Sequence, residues 1–213
     1  MNGQAWNLKP DDIETRSLAI IDDEAGEHGW PPREWAILRR MIHTTADFEW
    51  AKITLFQDQA IESVLKAFSR EFTIFTDTQM ARMGISPRRI EALGGDVRCF
   101  MGDEVASARA AKNNTTRAVA AMDLAVDMDP EAVFVIGNAP TALLRLLEHC
   151  SSGKARPQLV VGLPVGFVNA AEAKASLAQT DLPFITAKGR KGGSAIAASV
   201  INALAIMALE NRQ

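Results

Sequence analysis

The sequence predicts a three-layer, doubly wound α/β fold: a five-stranded parallel sheet of flavodoxin-like order 2-1-3-4-5, with extra helices at the N-terminus. Three observations lead there. Apolar runs such as Ala132-Val133-Phe134-Val135-Ile136 and Leu159-Val160-Val161-Gly162-Leu163 lack the alternation of a half-exposed strand, so both of their faces should be covered. Segments with helical spacing separate these runs, which calls for crossover connections rather than hairpins. Before residue 71 the apolar pattern is helical only.

The elements follow in order. Asp11 or Asp12 can cap a first helix reaching about Ala25, with Ile13, Ser17, Ile20 and Ile21 on its inward face. Ser17 is then a hydroxyl in an apolar stripe, either bonded back to the carbonyl four residues earlier or touching a ligand. Gly26 and Gly29-Trp30-Pro31-Pro32 break the chain, and Pro32 suits the first position of a second helix. That helix, Arg33 to Ala46, puts Ile37, Leu38, Met41 and Ile42 on one side. Arg40, His43 and Asp47 fall within roughly 60° of one another on the other. Gln57 to Ser69 is a third helix. Strands are expected at Phe72–Thr76, Gly95–Phe100, Ala132–Ile136, Leu159–Leu163 and Pro183–Thr186. The intervening helices are Ser86–Leu93, Asp103–Ala110, Thr115–Met128, Thr141–His149, Ala170–Gln179 and Ser194–Leu209. At 213 residues the chain reads as one domain over 1–213, helical to residue 70 and α/β over 71–210.

Composition narrows the function classes. A net charge of -3 argues against a nucleic-acid surface, which needs a basic field. No uncharged apolar run reaches the roughly 20 residues of a membrane span. Met1 to Pro10 is polar and has no apolar signal-peptide region, so a cytoplasmic location is expected. Cys99 and Cys150 form neither a disulfide framework nor a zinc spacing and are expected to be buried thiols.

In an open α/β sheet ligands bind beyond the carboxyl ends of the strands. The segments expected on that edge are Thr76-Asp77-Thr78-Gln79-Met80, Gly137-Asn138-Ala139-Pro140-Thr141, Pro164-Val165-Gly166-Phe167-Val168 and Lys188-Gly189-Arg190-Lys191-Gly192-Gly193-Ser194. In the last, cations and glycines precede a helix, so bare amides and a positive helix end face one space. Phosphate or carboxylate would fit there, and a solvated basic loop is the plain alternative. Neither GxxxxGK[ST] nor GxGxxG is present. Arg117 opens another helix, where a cation is slightly disfavoured unless an anion lies near. His43, with a cation one turn before it and a carboxylate one turn after, suits proton transfer or binding of a charged ligand. A surface histidine on a solvated face is the competing reading.

Taken together these segments resemble the precorrin-8X methylmutase family, which includes the cobalt-precorrin-8 methylmutases of cobalamin biosynthesis. The matching pieces are Ile13-Glu14-Thr15-Arg16-Ser17, Arg40-Met41-Ile42-His43-Thr44-Thr45-Ala46-Asp47, Thr76-Asp77, Thr115-Thr116-Arg117 and Ile136-Gly137-Asn138-Ala139-Pro140-Thr141-Ala142-Leu143. They continue with Gly162-Leu163-Pro164-Val165-Gly166-Phe167-Val168 and Gly189-Arg190-Lys191-Gly192-Gly193-Ser194. Asn169 stands where the family pattern favours glycine. The resemblance implies an isomerase that moves a methyl group from carbon 11 to carbon 12 of a contracted-ring tetrapyrrole, giving hydrogenobyrinic acid or cobyrinic acid. His43 matches the family's catalytic histidine, and Ser17 and Arg40 match its substrate-binding positions. The resemblance also implies a homodimer with the macrocycle near the subunit interface. Such a substrate carries acetate and propionate arms. Arg40, Arg117 and the loop of Gly189, Arg190, Lys191, Gly192 and Gly193 are expected to hold them, with Thr76, Asp77 and Asn138 nearby. Met80, Met83, Phe167 and Val168 could provide an apolar floor. No cofactor and no metal are expected for a methyl shift within a conjugated ring, and the resemblance allows handover of the product to the next pathway enzyme. The other classes considered are a non-catalytic tetrapyrrole carrier and a phosphate-ester-using α/β enzyme.

Overall fold

The computed structural model describes residues 9–212, apart from the side chains of Pro10 and Asp11. Met1–Leu8, and Asp11 as a cap, lie outside the described residues. The order of elements is α1 (Pro10–Ala25), α2 (Pro32–Thr45), α3 (Trp50–Ile53), β1 (Thr54–Phe56), α4 (Ala60–Ala67), β2 (Phe72–Thr76), α5 (Gln79–Gly84), α6 (Pro87–Ala92) and β3 (Gly95–Arg98). It continues with α7 (Glu104–Lys112), α8 (Arg117–Met128), β4 (Val133–Ile136), α9 (Pro140–Ser151), β5 (Leu159–Gly162), α10 (Ala170–Ala178), β6 (Phe184–Ala187) and α11 (Ser194–Glu210).

The sheet has six strands in the order β1-β6-β5-β4-β2-β3. Five are parallel, with Ile74 opposite Val133, Val133 opposite Leu159 and Val160 opposite Phe184. The sixth corrects the expected five: β1 pairs antiparallel with β6, Leu55 opposite Thr186, inside the stretch read as purely helical. Three residues are too few to show a period, which is why the strand does not stand out in the sequence. The short helices α3 and α5 escaped for the same reason, although Thr78 caps α5 by accepting from the Ala81 amide.

Alternate strand residues serve two cores. Ile74, Val133, Val135, Val161 and Ile185 meet α2, α4 and α11 on one side. Phe75, Phe134, Ile136, Val160 and Phe184 meet α8, α9 and α10 on the other. The Ala-rich α11 is buried along almost its whole length between the sheet and α2, so its hydrophobicity belongs to the core. No helix among the described residues is long and apolar enough to cross a membrane. Ile37, Leu38, Met41 and Ile42 of α2 are fully buried. Each contributes about 2 kcal/mol on burial, more than a surface ion pair at about 0–1 kcal/mol. Packing on α11 therefore decides where α2, and with it His43, sits.

α1 differs from expectation in its roll. Ile13 and Ile20 are 46% and 49% exposed, whereas Ile21 is buried and Leu18 packs against the core. The reason is polar: Asp22 accepts from Trp35 Nε1 at 2.8 Å and pairs with Arg39 at 2.6 Å, turning that edge of α1 toward α2. Its N-cap is Lys9 with no side-chain cap bond, so Asp12 does not cap it. α2 ends at Thr45, and Ala46 takes a left-handed conformation at φ 52°. Asp47 is consequently beyond the helix and not on the face it was expected to share with His43. Both cysteines are half-buried, and burial pushes the Cys150 thiol up to about 11.

α8 is locked to α9 by a buried polar cluster. Asp123 Oδ1 lies 2.7 Å from His149 Nε2 and accepts from Arg145 Nε at 2.6 Å. Burial raises the Asp123 carboxyl, but the Arg145 and His149 bonds outweigh it and hold the group below its ordinary value. A depressed carboxylate contributes stability that is complete above its unfolded pKa and is lost as pH falls through the lower folded value. Asp123→Asn should cost about 2 kcal/mol at neutral pH and flatten the acid side of the stability profile. Thermal melts across pH 2.5–7 check both, and an unchanged acid limb would remove this pair from the stability account.

Candidate active site at the carboxyl edge of the sheet

Four strand ends meet at this edge and are tied together by their own polar groups. Asp77, directly after β2, is 4% exposed and accepts from the amides of Gly137, Asn138 and Ala139 at 2.9, 2.8 and 2.7 Å. Burial pushes its carboxyl up, against the pull of those three donors. The amides at the start of α9, on the edge where ligands are expected, are therefore filled from within. Thr76 is buried too, its hydroxyl donating to the Thr78 carbonyl at 3.0 Å. The Asn138 side chain is exposed. Gly137 is needed because a Cβ there would come within 2.6 Å of the Ser194 backbone, where α11 begins. Thr78 Oγ1 and Ser194 Oγ, which the sequence reading did not single out as site residues, bridge the starts of α5 and α11 at 2.8 Å.

The glycine-lysine turn lies on the end of β5. A Cβ on Gly192 would stand 2.2 Å from the Leu163 carbonyl oxygen, and the Gly193 amide donates to that oxygen at 2.9 Å. Gly189 and Gly193 have φ of 75° and 138°, conformations that glycine adopts freely. Arg190 is exposed, its guanidinium 5.4 Å from the centroid of the Phe167 ring. Lys191 is not a free cation. Its ammonium bonds Asp47 and Glu49, both at 2.6 Å, and so ties the turn to the segment just after α2. The Lys191 bond holds the Asp47 carboxyl below its usual range, with help from the Glu49 amide.

His43 stands in the last turn of α2, exposed, four residues before Asp47. One turn earlier Arg40 donates to Glu14 Oε1 of α1 at 2.7 Å. That bond, with burial opposing it, lowers the Glu14 carboxyl, and the charges of Arg40, Arg89 and His43 add to the effect. Arg33, Arg39, Arg40 and Arg89 line a groove of about 610 Å³ that runs along α1, α2 and α11. Ser17 Oγ donates to the Ile13 carbonyl at 2.8 Å, the back-bonded alternative, and keeps its acceptor lone pairs.

The structure thus joins His43, through α2 and the Lys191 bridge, to the Gly189–Gly193 turn, and links Arg40 to α1, which carries Ser17. Thr76 and Asp77 brace the edge from inside. Arg117 is exposed at the start of α8, at the same edge but over the opposite face of the sheet, and no hydrogen bond or ion pair joins it to His43 among the described residues. Met80, Met83, Phe167 and Val168, the expected apolar floor, are 71%, 78%, 83% and 77% exposed. Among the described residues no group of three His, Cys, Asp or Glu side chains could hold a metal ion. Glu14, Arg89 and Lys174 were not read as site residues. Glu14 lies inside a quoted motif, whereas nothing in the spacing of Arg89 or Lys174 marks them.

A family model described as precorrin-8X methylmutase matches residues 12–207. The chain belongs to the precorrin-8X methylmutase family. The cobalt-precorrin-8 methylmutase of Salmonella typhimurium is 43% identical, with 92% of this chain and 94% of that protein covered. That of Priestia megaterium is 41% identical, over 94% and 89%. A crystal structure of precorrin-8X methylmutase from Thermus thermophilus superposes with a TM-score of 0.86 at 42% identity, covering 93% of this chain and 98% of that one. The match to precorrin-8X methylmutases spans every strand and loop of the edge described above. Asn169, read in the sequence as a departure from glycine, has φ 61°, a left-handed conformation that asparagine tolerates better than most residues.

Proposed function

We propose that the chain is the isomerase that moves a methyl group from carbon 11 to carbon 12 of precorrin-8X, or of cobalt-precorrin-8, giving hydrogenobyrinic acid or cobyrinic acid in cobalamin biosynthesis. The observation that carries this reading is the family match across nearly the whole chain, with an exposed His43 in the last turn of α2 and a half-buried Arg40 one turn before it. His43, as imidazolium, donates a hydrogen bond or proton to a ring atom and draws electron density from the system through which the methyl migrates. The proton returns to His43 when the shift is complete, so the reaction is balanced within the substrate. Arg40 holds a carboxylate arm of the macrocycle by its planar fork, exchanging Glu14 for it, and Ser17 contacts the same region. Arg117, Asn138, Arg190 and the amides of Gly189, Gly192 and Gly193 offer further partners for the acid arms. Lys191, already bridged, contributes mainly by shaping the turn. The exposed Met80, Met83, Phe167 and Val168 are partners for the apolar macrocycle or for a second subunit. A homodimer with the ring near the interface fits the amount of apolar surface left open.

The test is to incubate the purified protein with precorrin-8X and with cobalt-precorrin-8 and to follow the visible spectrum. Conversion of one of them to its corrin product is the expected result. A bound but unchanged pigment would make the chain a carrier, and an unbound one would leave a phosphate-ester enzyme to be considered.

A further inference from the structure

Lys174 is the one buried lysine among the described residues, 1% exposed in the middle of α10. Its ammonium donates to the backbone carbonyl of Lys191. No carboxylate stands within ion-pair distance of it among the described residues. Burying an ammonium without a counter-charge costs several kcal/mol after relaxation, and an aliphatic side chain would fill the space without that cost. What the lysine adds is its grip on the turn.

The grip has a purpose in the geometry around it. The Arg190 carbonyl accepts from the Gly166 amide at 3.3 Å, the Lys191 carbonyl from Lys174, and the Leu163 carbonyl from the Gly193 amide at 2.9 Å. Backbone groups of Arg190, Lys191 and Gly193 are thus held from the segment after β5 and from α10. The Lys191 side chain then spans to Asp47 and Glu49, although all three are substantially exposed, at 43%, 34% and 51%. An exposed bridge of this kind is weak when both ends must be ordered. It gains when the backbone at one end is already fixed.

We infer that Lys174 is a positioning residue: by holding the Lys191 carbonyl it sets the Lys191 bridge to Asp47 and Glu49, and so fixes the end of the helix that carries His43. Burial also lowers the Lys174 ammonium to about 8, which marks how closely the turn and α10 enclose it. The catalytic consequence rests on the role proposed for His43; the structural linkage does not.

Lys174→Met, Lys191→Met and the double variant test the inference. Each single variant should lower kcat by about tenfold, as a small misplacement of a reacting group does, with KM and product affinity within about threefold of wild type. The double variant should be no worse than the weaker single, because both cut one chain of contacts. The protein has only three histidines, so their imidazole C–H resonances are readily assigned. Both variants should move that of His43 and leave those of His28 and His149 in place. Wild-type kcat in Lys191→Met, an undisturbed His43 resonance, or multiplied losses in the double variant would overturn the inference. If Lys174→Met does not fold, the exposed Lys191→Met still decides. If His43→Ala turns over normally, the role of His43 falls while the resonance readout still tests the linkage.

Discussion

Replacing His43 by alanine is expected to lower kcat by about 10²–10⁴-fold, the usual contribution of a single general acid, while fold and product binding persist. The residue is exposed at a helix end and engages no hydrogen-bond partner among the described residues. Its removal should therefore change stability by no more than about 0.5 kcal/mol. The Arg40–Glu14 pair one turn away does not depend on it, so the acid arms of the ligand keep their partner. Turnover assays paired with equilibrium binding of the product separate the two effects. Near wild-type turnover would remove His43 from the mechanism, and lost binding at normal stability would make it a ligand anchor instead.

Asp77→Ala should have the largest effect on stability, about 3–5 kcal/mol. One carboxylate satisfies three amides at the start of α9, and two of the residues supplying them, Gly137 and Ala139, are buried. Alanine leaves all three donors without a partner at the meeting point of β2, β4 and α11. Asp77→Asn keeps an acceptor oxygen and should recover part of the loss. Urea unfolding measures both. Native-like stability with weakened product binding would return Asp77 to the substrate-contact role the sequence suggested.

The buried strands at β4 and β5 and the α2 face of Ile37, Leu38, Met41 and Ile42 were legible because long, strongly patterned segments follow burial directly. The three-residue β1 and the six-residue α5 were not, since neither is long enough to show a period. The roll of α1 is not legible from Ile13, Ser17, Ile20 and Ile21 alone, because the bonds of Asp22 to Trp35 and Arg39 decide the orientation. Around the site the loops and His43 could be named in advance, but their commitments could not. Asp77 and Lys191 look like ligand groups in sequence, and tertiary contacts 60 and 144 residues away in the chain already engage them. Lys174 shows the converse: a lysine among alanines reads as a solvated helix position, and only the fold reveals that it is buried.

The most direct measurement is a crystal structure with hydrogenobyrinic acid, or its cobalt counterpart, bound. The His43 ring nitrogen is expected at about 3 Å from the macrocycle, beside the methyl-bearing carbons, with Arg40 turned from Glu14 to an acid arm. A macrocycle seated away from the end of α2, with His43 still in solvent and Arg40 still on Glu14, would contradict it.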